Sequence, residues 1–246
     1  MGTNVSASNP SSEPAADDLA ARIRHVRARV TAAATRAGRD PEDVLIVGAS
    51  KTVDVERIRA AYELGLKTFG ENRVQEARGK IAALHLPLIR WELIGHLQTN
   101  KVARAVELFA RIQAVDSIHL AQALQQRAEQ AQRVLPVLLE VNVADESSKF
   151  GLRPEEVVSA ARAIAALPHL RPEGLMTVAP LADDPEVARP VFRALRELLA
   201  RLCDEVPEAD WRQLSMGMTD DFEIAIEEGA TIVRIGRALF GPRPAV

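Results

Sequence analysis

Short apolar runs alternate with longer amphipathic stretches along most of the chain. Most of the runs have the length of a strand and show no alternation, which is typical of strands buried on both faces of a parallel sheet. The predicted strands cover residues 44–50, 68–72, 91–95, 111–115, 137–143, 174–178, 213–216 and 231–235. Helical patterns lie between them, over 55–64, 74–84, 99–108, 118–132, 155–167, 187–205 and 222–228, and a last short element covers 238–240. This order predicts parallel pairing with right-handed crossovers.

The segment before the first strand has two parts. Residues 1–16 are rich in Ser, Pro, Asn and Ala and contain neither a basic flank nor an apolar core. We therefore expect a disordered tail rather than a signal or transit peptide. Asp17 and Asp18 can then cap an amphipathic helix that ends before Gly38. The folded domain is predicted to span residues 17–246.

Eight strand and helix units in about 200 residues favour an α/β fold of one particular kind, a single (β/α)8 TIM barrel with an extra N-terminal helix. A doubly wound open sheet is the competing architecture. The first strand is followed by GASKTVD, where a dinucleotide-binding open sheet carries a glycine-rich turn. This difference favours the barrel.

Composition narrows the classes of protein that remain. Aromatic residues make up only 4% of the 246 residues, so Ala, Val, Leu and Ile must build the core. A formal net charge of −3 argues against a general nucleic-acid-binding protein, and the apolar runs are too short for a membrane span. The single cysteine, Cys203, excludes an internal disulfide and fits a reducing, cytoplasmic location. Its helical surroundings predict a buried thiol.

Polar side chains recur where the predicted strands end. In barrels of this kind the carboxyl ends of the strands build the functional site. The residues at these ends, in strand order, are Lys51, Asn72, His96, Asp116, Asn142, Thr177, Ser215 and Arg234. The sequence therefore predicts one polar rim above an apolar interior.

Lys51 directly follows the apolar run VLIVGAS. At the mouth of a barrel, partial desolvation would disfavour the ammonium form and lower the pKa of the amine, which favours attack on an aldehyde. A lysine that reaches solvent, or that pairs with Asp54, is an equally simple interpretation. Position alone leaves both interpretations open.

The last two units suggest an anion site. Loops after the seventh and eighth strands of barrels often hold phosphate, and here Gly236 and Arg237 could offer backbone N–H groups while Ser215 offers a hydroxyl. The alternative is a tight turn in which Gly236 serves geometry alone. Asp220 and Asp221 resemble a metal or acid–base pair, but a helix cap at Phe222 is the simpler interpretation. Histidine and cysteine show no zinc-ligand spacing.

Several long segments match one known family in the right order. They are VGASKTV, FGENRVQEA, WELIGHLQTNK, VNVADESSKFG, EGLMTVAP and LSMGMTDDFEIAIEEGATIVRIGRALFG. At these residues the chain closely resembles the pyridoxal phosphate homeostasis protein family. The resemblance implies a single barrel like the N-terminal domain of alanine racemases.

The same resemblance implies a cofactor site. Pyridoxal 5'-phosphate would be held as a Schiff base on Lys51, with Asn72 close to its ring and Arg234 facing its pyridine nitrogen. The implied phosphate-binding residues are Ser215, Gly236 and Arg237. Met216, next to Ser215, is a further expected cofactor-binding residue.

The resemblance also bears on whether the protein is an enzyme. An arginine that faces the pyridine nitrogen disfavours protonation of the ring and makes it a weaker electron sink. A racemase needs a second proton donor, whereas the one tyrosine, Tyr62, lies in a helix pattern and little sequence follows Gly241. We therefore expect a non-catalytic, monomeric cofactor-binding protein in vitamin B6 and amino-acid homeostasis, with apo-enzymes as possible recipients and no nucleic-acid or membrane partner. An amino-acid racemase or related Schiff-base enzyme is the alternative, and a barrel for another phosphorylated metabolite is a third hypothesis.

Overall fold

The computed structural model describes residues 18–144, 150–180 and 182–242. The predicted tail at 1–16 lies outside these residues. The strands are β1 (Leu45–Ala49), β2 (Thr68–Glu71), β3 (Arg90–Leu93), β4 (Arg111–Val115), β5 (Leu135–Glu140), β6 (Leu170–Met176), β7 (Gln213–Ser215) and β8 (Ile232–Ile235). The helices are α1 (Leu19–Arg36), α2 (Val55–Glu63), α3 (Val74–Leu84), α4 (Val102–Leu108), α5 (Ile118–Gln130), α6 (Val157–Ala165), α7 (Arg189–Glu205), α8 (Phe222–Glu227) and α9 (Arg237–Phe240).

The eight strands form a closed parallel barrel in chain order. Closure is made by β1 and β8, which run in parallel with Leu45 opposite Ile232 and Gly48 opposite Ile235. The predicted (β/α)8 barrel is therefore confirmed. The open doubly wound sheet is wrong, because an open sheet would leave its two edge strands unpaired, whereas here the first and last strands pair.

Two strands begin two or more residues earlier than their apolar runs predict. β5 begins at Leu135 and β6 at Leu170, and each then includes a proline, Pro136 and Pro172. A proline lacks the N–H that a central strand uses, so the sequence there does not look like a strand. Both prolines nevertheless pair in register, Pro136 opposite Arg171 and Pro172 opposite Val137, and the register between β5 and β6 shifts directly after Val137.

The core has two layers. The outer layer fills the space between the strands and the helices, and a small inner cluster fills the barrel with Val47, Ala114, Leu138, Met176 and Ile232. These five side chains come from five different strands, so they can meet only inside the barrel. Buried polar side chains of β3, β4, β7 and β8 are hydrogen-bonded in a row, in the order Glu92, Gln113, Ser215 and Arg234.

Helix α1 is the predicted extra N-terminal helix, and it packs against α8, α9 and α2. Asp18 caps it, because its Oδ1 accepts a hydrogen bond of 2.8 Å from the N–H of Ala21. Asp17, the other predicted cap, lies outside the described residues. Gly38 follows the end of the helix with a φ of 66°, as expected of a glycine that stops a helix.

The cysteine prediction is wrong. Cys203 is exposed on α7, and its Sγ lies 3.4 Å from the carbonyl oxygen of Trp211. The buried face of α7 carries Leu195, Leu198 and Leu202, and Cys203, the residue after Leu202, is turned about 100° away from that face.

Among the described residues, none of the helices is long and apolar enough to span a bilayer.

Candidate functional site

One cavity of about 690 Å³ opens at the carboxyl-terminal ends of the strands. The β1–α2 loop and the first turn of α2 form one side, and the segments that follow β7 and β8 form the other side. Asn72, Ile94 and Val178 lie between these two sides. Its charged lining residues are Lys51, Asp54, Arg57, Asp220, Arg234 and Arg237.

Lys51 lies two residues beyond β1 and lines this cavity. The next residue, Thr52, has a φ of 65°, a left-handed conformation that is costly for a residue with a branched Cβ. Asp54 then caps α2, since its Oδ1 accepts a hydrogen bond of 2.7 Å from the N–H of Arg57. The turn between β1 and α2 is therefore short and fixed at both ends, and it presents Lys51 to the cavity.

A buried ion cluster lies directly behind the Lys51 turn. The ammonium group of Lys80, on α3, donates hydrogen bonds to Glu71 Oε1 at 2.8 Å, Glu76 Oε1 at 2.8 Å and the carbonyl oxygen of Ser50 at 2.7 Å. Burial raises the pKa of Glu71, although hydrogen bonds from Lys80 and Ser50 oppose this shift. Burial also acts to raise the pKa of Glu76, but hydrogen bonds from Lys80 and the Thr52 N–H outweigh it and leave the pKa lowered.

Arg234 points from β8 into the barrel and lines the floor of the cavity. Its guanidinium donates 2.6 Å to the hydroxyl of Ser215 and 2.7 Å to the carbonyl oxygen of Thr177. Complete burial lowers its pKa to about 10, with Glu140 and Asp221 acting in the opposite direction. At neutral pH Arg234 is therefore still a cation.

Ser215 lies deeper in the barrel than the sequence predicts, and neither Ser215 nor Met216 is among the residues that line the cavity. The Ser215 hydroxyl accepts from Arg234 and donates 2.6 Å to Oε1 of Gln113. Gln113 in turn donates 2.5 Å to Glu92. Met216 is fully buried in the hydrophobic core. A chain of hydrogen bonds through the barrel interior therefore supports Arg234 from below.

The β8–α9 turn has the features of an anion site. Gly236 has a φ of −110°, and a Cβ built on it would lie 3.4 Å from the nearest atom, the carbonyl oxygen of Ala49. Packing and backbone conformation therefore leave room for a side chain at Gly236, and the glycine keeps the cavity open. The hydroxyl of Thr219 lies 3.3 Å from the N–H of Ala238 beside it, and Thr219 lines the cavity.

Asp220 and Asp221, the two predicted capping aspartates, make different contacts. Arg237 is exposed at the rim and pairs with Asp220. Asp221 occupies the N-cap position of α8, but its Oδ1 accepts from the N–H of Met218 at 2.6 Å and makes no cap bond. The expected helix cap is thus wrong in its bonding, because Asp221 closes the preceding turn instead.

Arg57 adds a charge that the sequence did not single out. It lines the cavity from α2, and its Nε is buried without a hydrogen-bond partner among the described residues. A buried guanidinium nitrogen without an acceptor is unfavourable in the protein alone. Arg57 therefore adds a basic side chain to the cavity wall, while its Nε itself lies out of reach of the cavity.

His96 and Asp116, two further residues of the predicted rim, form a second group after β3 and β4. His96 Nδ1 lies 2.8 Å from Asp116 Oδ2, and the His96 ring stacks on Phe150 at 3.7 Å between ring centres. Glu140 ends β5, and burial, with a contribution from Asp116, raises its pKa to about 7. Oε2 of Glu140 has no hydrogen-bond partner among the described residues.

The structure therefore brings together five of the seven predicted site residues and adds others. Lys51, Asn72, Arg234, Gly236 and Arg237 line one cavity. Arg57 and Thr219 were missed because single charged or hydroxyl residues in a helix or loop carry no periodic signal. In the described ranges, no group of three or more His, Cys, Asp and Glu side chains could hold a metal ion.

Comparison with known proteins defines the class of this barrel. Residues 18–244 match the family model described as alanine racemase, N-terminal domain. An alanine racemase of Clostridium difficile superposes with a TM-score of 0.70 over 93% of this chain and 58% of the racemase, at 14% identity, so that likeness concerns the fold alone. The fold and the lysine-bearing cavity together define a barrel of the alanine racemase N-terminal-domain class.

Closer relatives identify the family. The pyridoxal phosphate homeostasis protein of Aquifex aeolicus is 46% identical over 222 residues, which cover 90% of this chain and 97% of that relative. The protein of the same name from Escherichia coli K12 is 38% identical over 232 residues, with coverages of 92% and 97%. The chain therefore belongs to the pyridoxal phosphate homeostasis protein family, as the sequence resemblance predicted. The structure of PipY from Synechococcus elongatus with pyridoxal phosphate bound has a TM-score of 0.82 and 34% identity, and covers 91% of this chain and all of PipY.

Proposed function

We propose that this protein binds pyridoxal 5'-phosphate as a Schiff base on Lys51 and acts without catalysis in vitamin B6 and amino-acid homeostasis. The observation that carries the proposal is the cavity that holds Lys51 together with the open β8–α9 turn. Support also comes from the family and from PipY, which was solved with pyridoxal phosphate bound.

The cavity fits the proposed cofactor in size and in chemistry. Its volume of about 690 Å³ lies within the range of small-molecule sites. Lys51 supplies a nucleophile, and the glycine at 236 leaves space against the backbone. Of the six charged lining residues four are basic, so the site favours a dianionic ligand over a neutral one.

Six lining residues have a proposed role in holding the cofactor. Pyridoxal phosphate supplies an aldehyde when bound. The Lys51 amine forms the C–N bond and water leaves. The N–H groups of Gly236 and Arg237 and the Thr219 hydroxyl hold the phosphate oxygens, with Arg57 as a further cation near them. Asn72 contacts the ring.

Ser215 and Met216 have indirect roles in this proposal. Ser215 fixes the direction of the Arg234 guanidinium, to which it is bonded at 2.6 Å. Met216 supports the strand from the core, where it is fully buried.

Arg234 and Tyr62 favour binding over catalysis. With a pKa of about 10, Arg234 remains charged, and a cation that faces the pyridine nitrogen keeps that nitrogen unprotonated. Carbanion chemistry is then poorly supported. Tyr62, the one tyrosine of the sequence, donates its hydroxyl hydrogen to the carbonyl oxygen of Pro87 and does not line the cavity. We further propose that the barrel acts as a monomer and that apo-enzymes are the recipients of its cofactor.

The first experiment is an absorption spectrum of the purified protein with added pyridoxal phosphate, before and after borohydride, with mass mapping of the reduced peptide. We expect a yellow imine band that reduction fixes onto Lys51, and its loss in Lys51→Ala. Lys67→Ala is the matched control, since Lys67 lies outside the cavity and donates to the carbonyl oxygen of Tyr62.

Two results would overturn the proposal. Wild-type protein that takes up no pyridoxal phosphate would leave the cavity to another phosphorylated ligand. Steady racemisation of L-alanine or L-serine by the loaded protein, absent from Lys51→Ala, would replace the carrier with an amino-acid racemase.

A further inference from the structure

The structure assigns Lys80 a positioning role: its buried ammonium group fixes the backbone on both sides of Lys51 and so directs the Lys51 amine toward the aldehyde. This inference rests on the proposed function. Lys80 lies on α3 and does not line the cavity, so it acts through the backbone of the Lys51 turn rather than through contact with a ligand.

The contacts reach both peptide groups that flank Lys51. On the N-terminal side, Lys80 Nζ donates 2.7 Å to the carbonyl oxygen of Ser50. On the C-terminal side, the N–H of Thr52 donates 2.8 Å to Glu76 Oε1, the same oxygen that accepts from Lys80 at 2.8 Å. One ammonium group therefore holds the first peptide directly and the second through a single carboxylate.

Thr52 explains why such support is needed. Its φ of 65° is a left-handed conformation that persists only where surrounding contacts impose it. Two contacts hold it: the N–H of Val53 donates 2.9 Å to the carbonyl oxygen of Ser50 across the turn, and the N–H of Thr52 donates to Glu76. Lys80 lies four residues after Glu76 on the same face of α3. Without Lys80, Glu76 loses its ionic partner and the Thr52 peptide loses its fixed acceptor.

The same cluster explains which of the two lysines is the nucleophile. An ammonium group has three N–H donors, and those of Lys80 go to Ser50, Glu71 and Glu76. Glu71 is fully buried and also accepts 2.6 Å from the Ser50 hydroxyl. Each of the three Lys80 donors is therefore engaged by an oxygen acceptor, and Lys80 does not line the cavity, whereas Lys51 does.

The proposed consequence is confined to the covalent step. In that step the Lys51 nitrogen adds to the aldehyde carbon, a C–N bond forms, and the carbonyl oxygen leaves as water. Lys80 forms no bond to the ligand and transfers no proton in it. Loss of Lys80 should therefore slow adduct formation at Lys51 without weakening the contacts that hold phosphate and ring.

The experiment separates these two effects with two probes. Pyridoxine 5'-phosphate has no aldehyde, so its dissociation constant reports the non-covalent contacts alone. Pyridoxal 5'-phosphate, trapped with borohydride at successive times and mapped by mass spectrometry, reports the rate of adduct formation at Lys51. The variants are Lys80→Met, which keeps the chain length and removes the donors, and Glu76→Ala and Glu76→Gln, with Lys67→Met as the matched lysine control.

We expect Lys80→Met and Glu76→Ala to form the Lys51 adduct about tenfold more slowly, while pyridoxine phosphate binds them as it binds the wild type. Glu76→Gln keeps an oxygen for the Thr52 N–H and should recover most of the rate. Removal of Lys80 leaves Glu71 buried without its cation, so Lys80→Met could fail to fold. In that case Glu76→Ala decides, because the Glu76 side chain is 31% exposed and tolerates truncation.

Three results would overturn the inference. Adduct formation at the wild-type rate in Glu76→Ala would show that the turn needs no support. An equal loss of pyridoxine phosphate affinity would show a general structural effect instead of positioning. If wild-type protein forms no adduct while the amine of Lys51 still reacts with formaldehyde and borohydride, the proposed function has failed, and the positioning role fails with it.

Discussion

A single carboxyl group at the rim makes the stability of this barrel depend on pH near neutrality. Glu140 lies at the end of β5, and burial raises its pKa from the usual 4.5 to about 7, with Asp116 adding to the shift and Arg234 opposing it. Between these two values the folded protein holds a proton that the unfolded chain has released. Folding stability from Glu140 therefore falls as the pH rises through this window.

Glu140→Gln should remove this dependence, because glutamine resembles the protonated acid at every pH. Relative to wild type, the variant should gain stability at about pH 8, on the order of 3 kcal/mol, and gain almost none at about pH 4. Urea unfolding at both pH values measures the difference. Glu129→Gln, at an exposed position of α5, is the control and should follow the wild type. Identical pH profiles for Glu140→Gln and wild type would contradict the argument.

The sequence predicts which residues reach the rim more reliably than it predicts what they contact. Lys51, Asn72 and Arg234 were found because each follows or ends an apolar run, which is a local signal. The bond from Ser215 to Gln113 joins residues 102 positions apart, and no local pattern specifies it. Lys80 looks like an ordinary helical lysine until the fold places Glu71 and Ser50 against it.

At the scale of elements, the ends of β2 and β3 show how strand packing places a site residue. A Cβ built on Gly95, two residues past β3, would lie 2.7 Å from the carbonyl oxygen of Asn72 and 2.9 Å from its Cα. These atoms belong to the backbone and cannot turn away. The glycine at 95 therefore allows the chain after β2 to approach closely, and Asn72 reaches the cavity from there.

Gly95→Ala should push Asn72 away and destabilise the fold by about 1–3 kcal/mol, the usual cost of overpacking. It should also weaken pyridoxal phosphate binding severalfold, because the displaced residue lines the cavity. Gly79→Ala is the matched control: a Cβ there meets no atom within 4 Å, and alanine favours the helix by up to about 1 kcal/mol. Calorimetry and titration of both variants measure the two effects. Unchanged binding in Gly95→Ala would show that Asn72 does not depend on this approach.

Element boundaries were hardest to predict where the sequence signal is mixed. Strand β6 begins four residues before its predicted start, because Arg171 and Pro172 interrupt the apolar pattern. Backbone pairing with β5 continues through both residues, and neighbouring strands on each side supply the support that their own composition lacks. Tertiary pairing decides such positions, and a local pattern cannot show it.

At the scale of the whole molecule, closure of the barrel brings its first and last strands together. β1 pairs with β8, and α1 covers the short helices α8 and α9 that follow the last two strands. Arg39, just after α1, donates 2.8 Å to the carbonyl oxygen of Ile226 and 2.9 Å to that of Ala230. Arg29 pairs with Glu223 at 2.7 Å. The extra helix is therefore part of the wall behind the anion site rather than an appendage.

This arrangement predicts that α1 and the barrel unfold together as one cooperative unit, so that a substitution in the buried face of α1 destabilises the whole domain. Ile23 is 3% exposed, so Ile23→Ala should lower the free energy of unfolding by about 2–5 kcal/mol. Thr31→Ala, on the exposed face of the same helix, should change it by less than about 0.5 kcal/mol. In Ile23→Ala, helix content from circular dichroism and fluorescence from the buried Trp91 and Trp211 should be lost in one coincident urea transition. An early loss of helix signal with unchanged fluorescence would mean that α1 detaches while the barrel stays closed, and the wall behind the anion site would then have to be α8 and α9 alone.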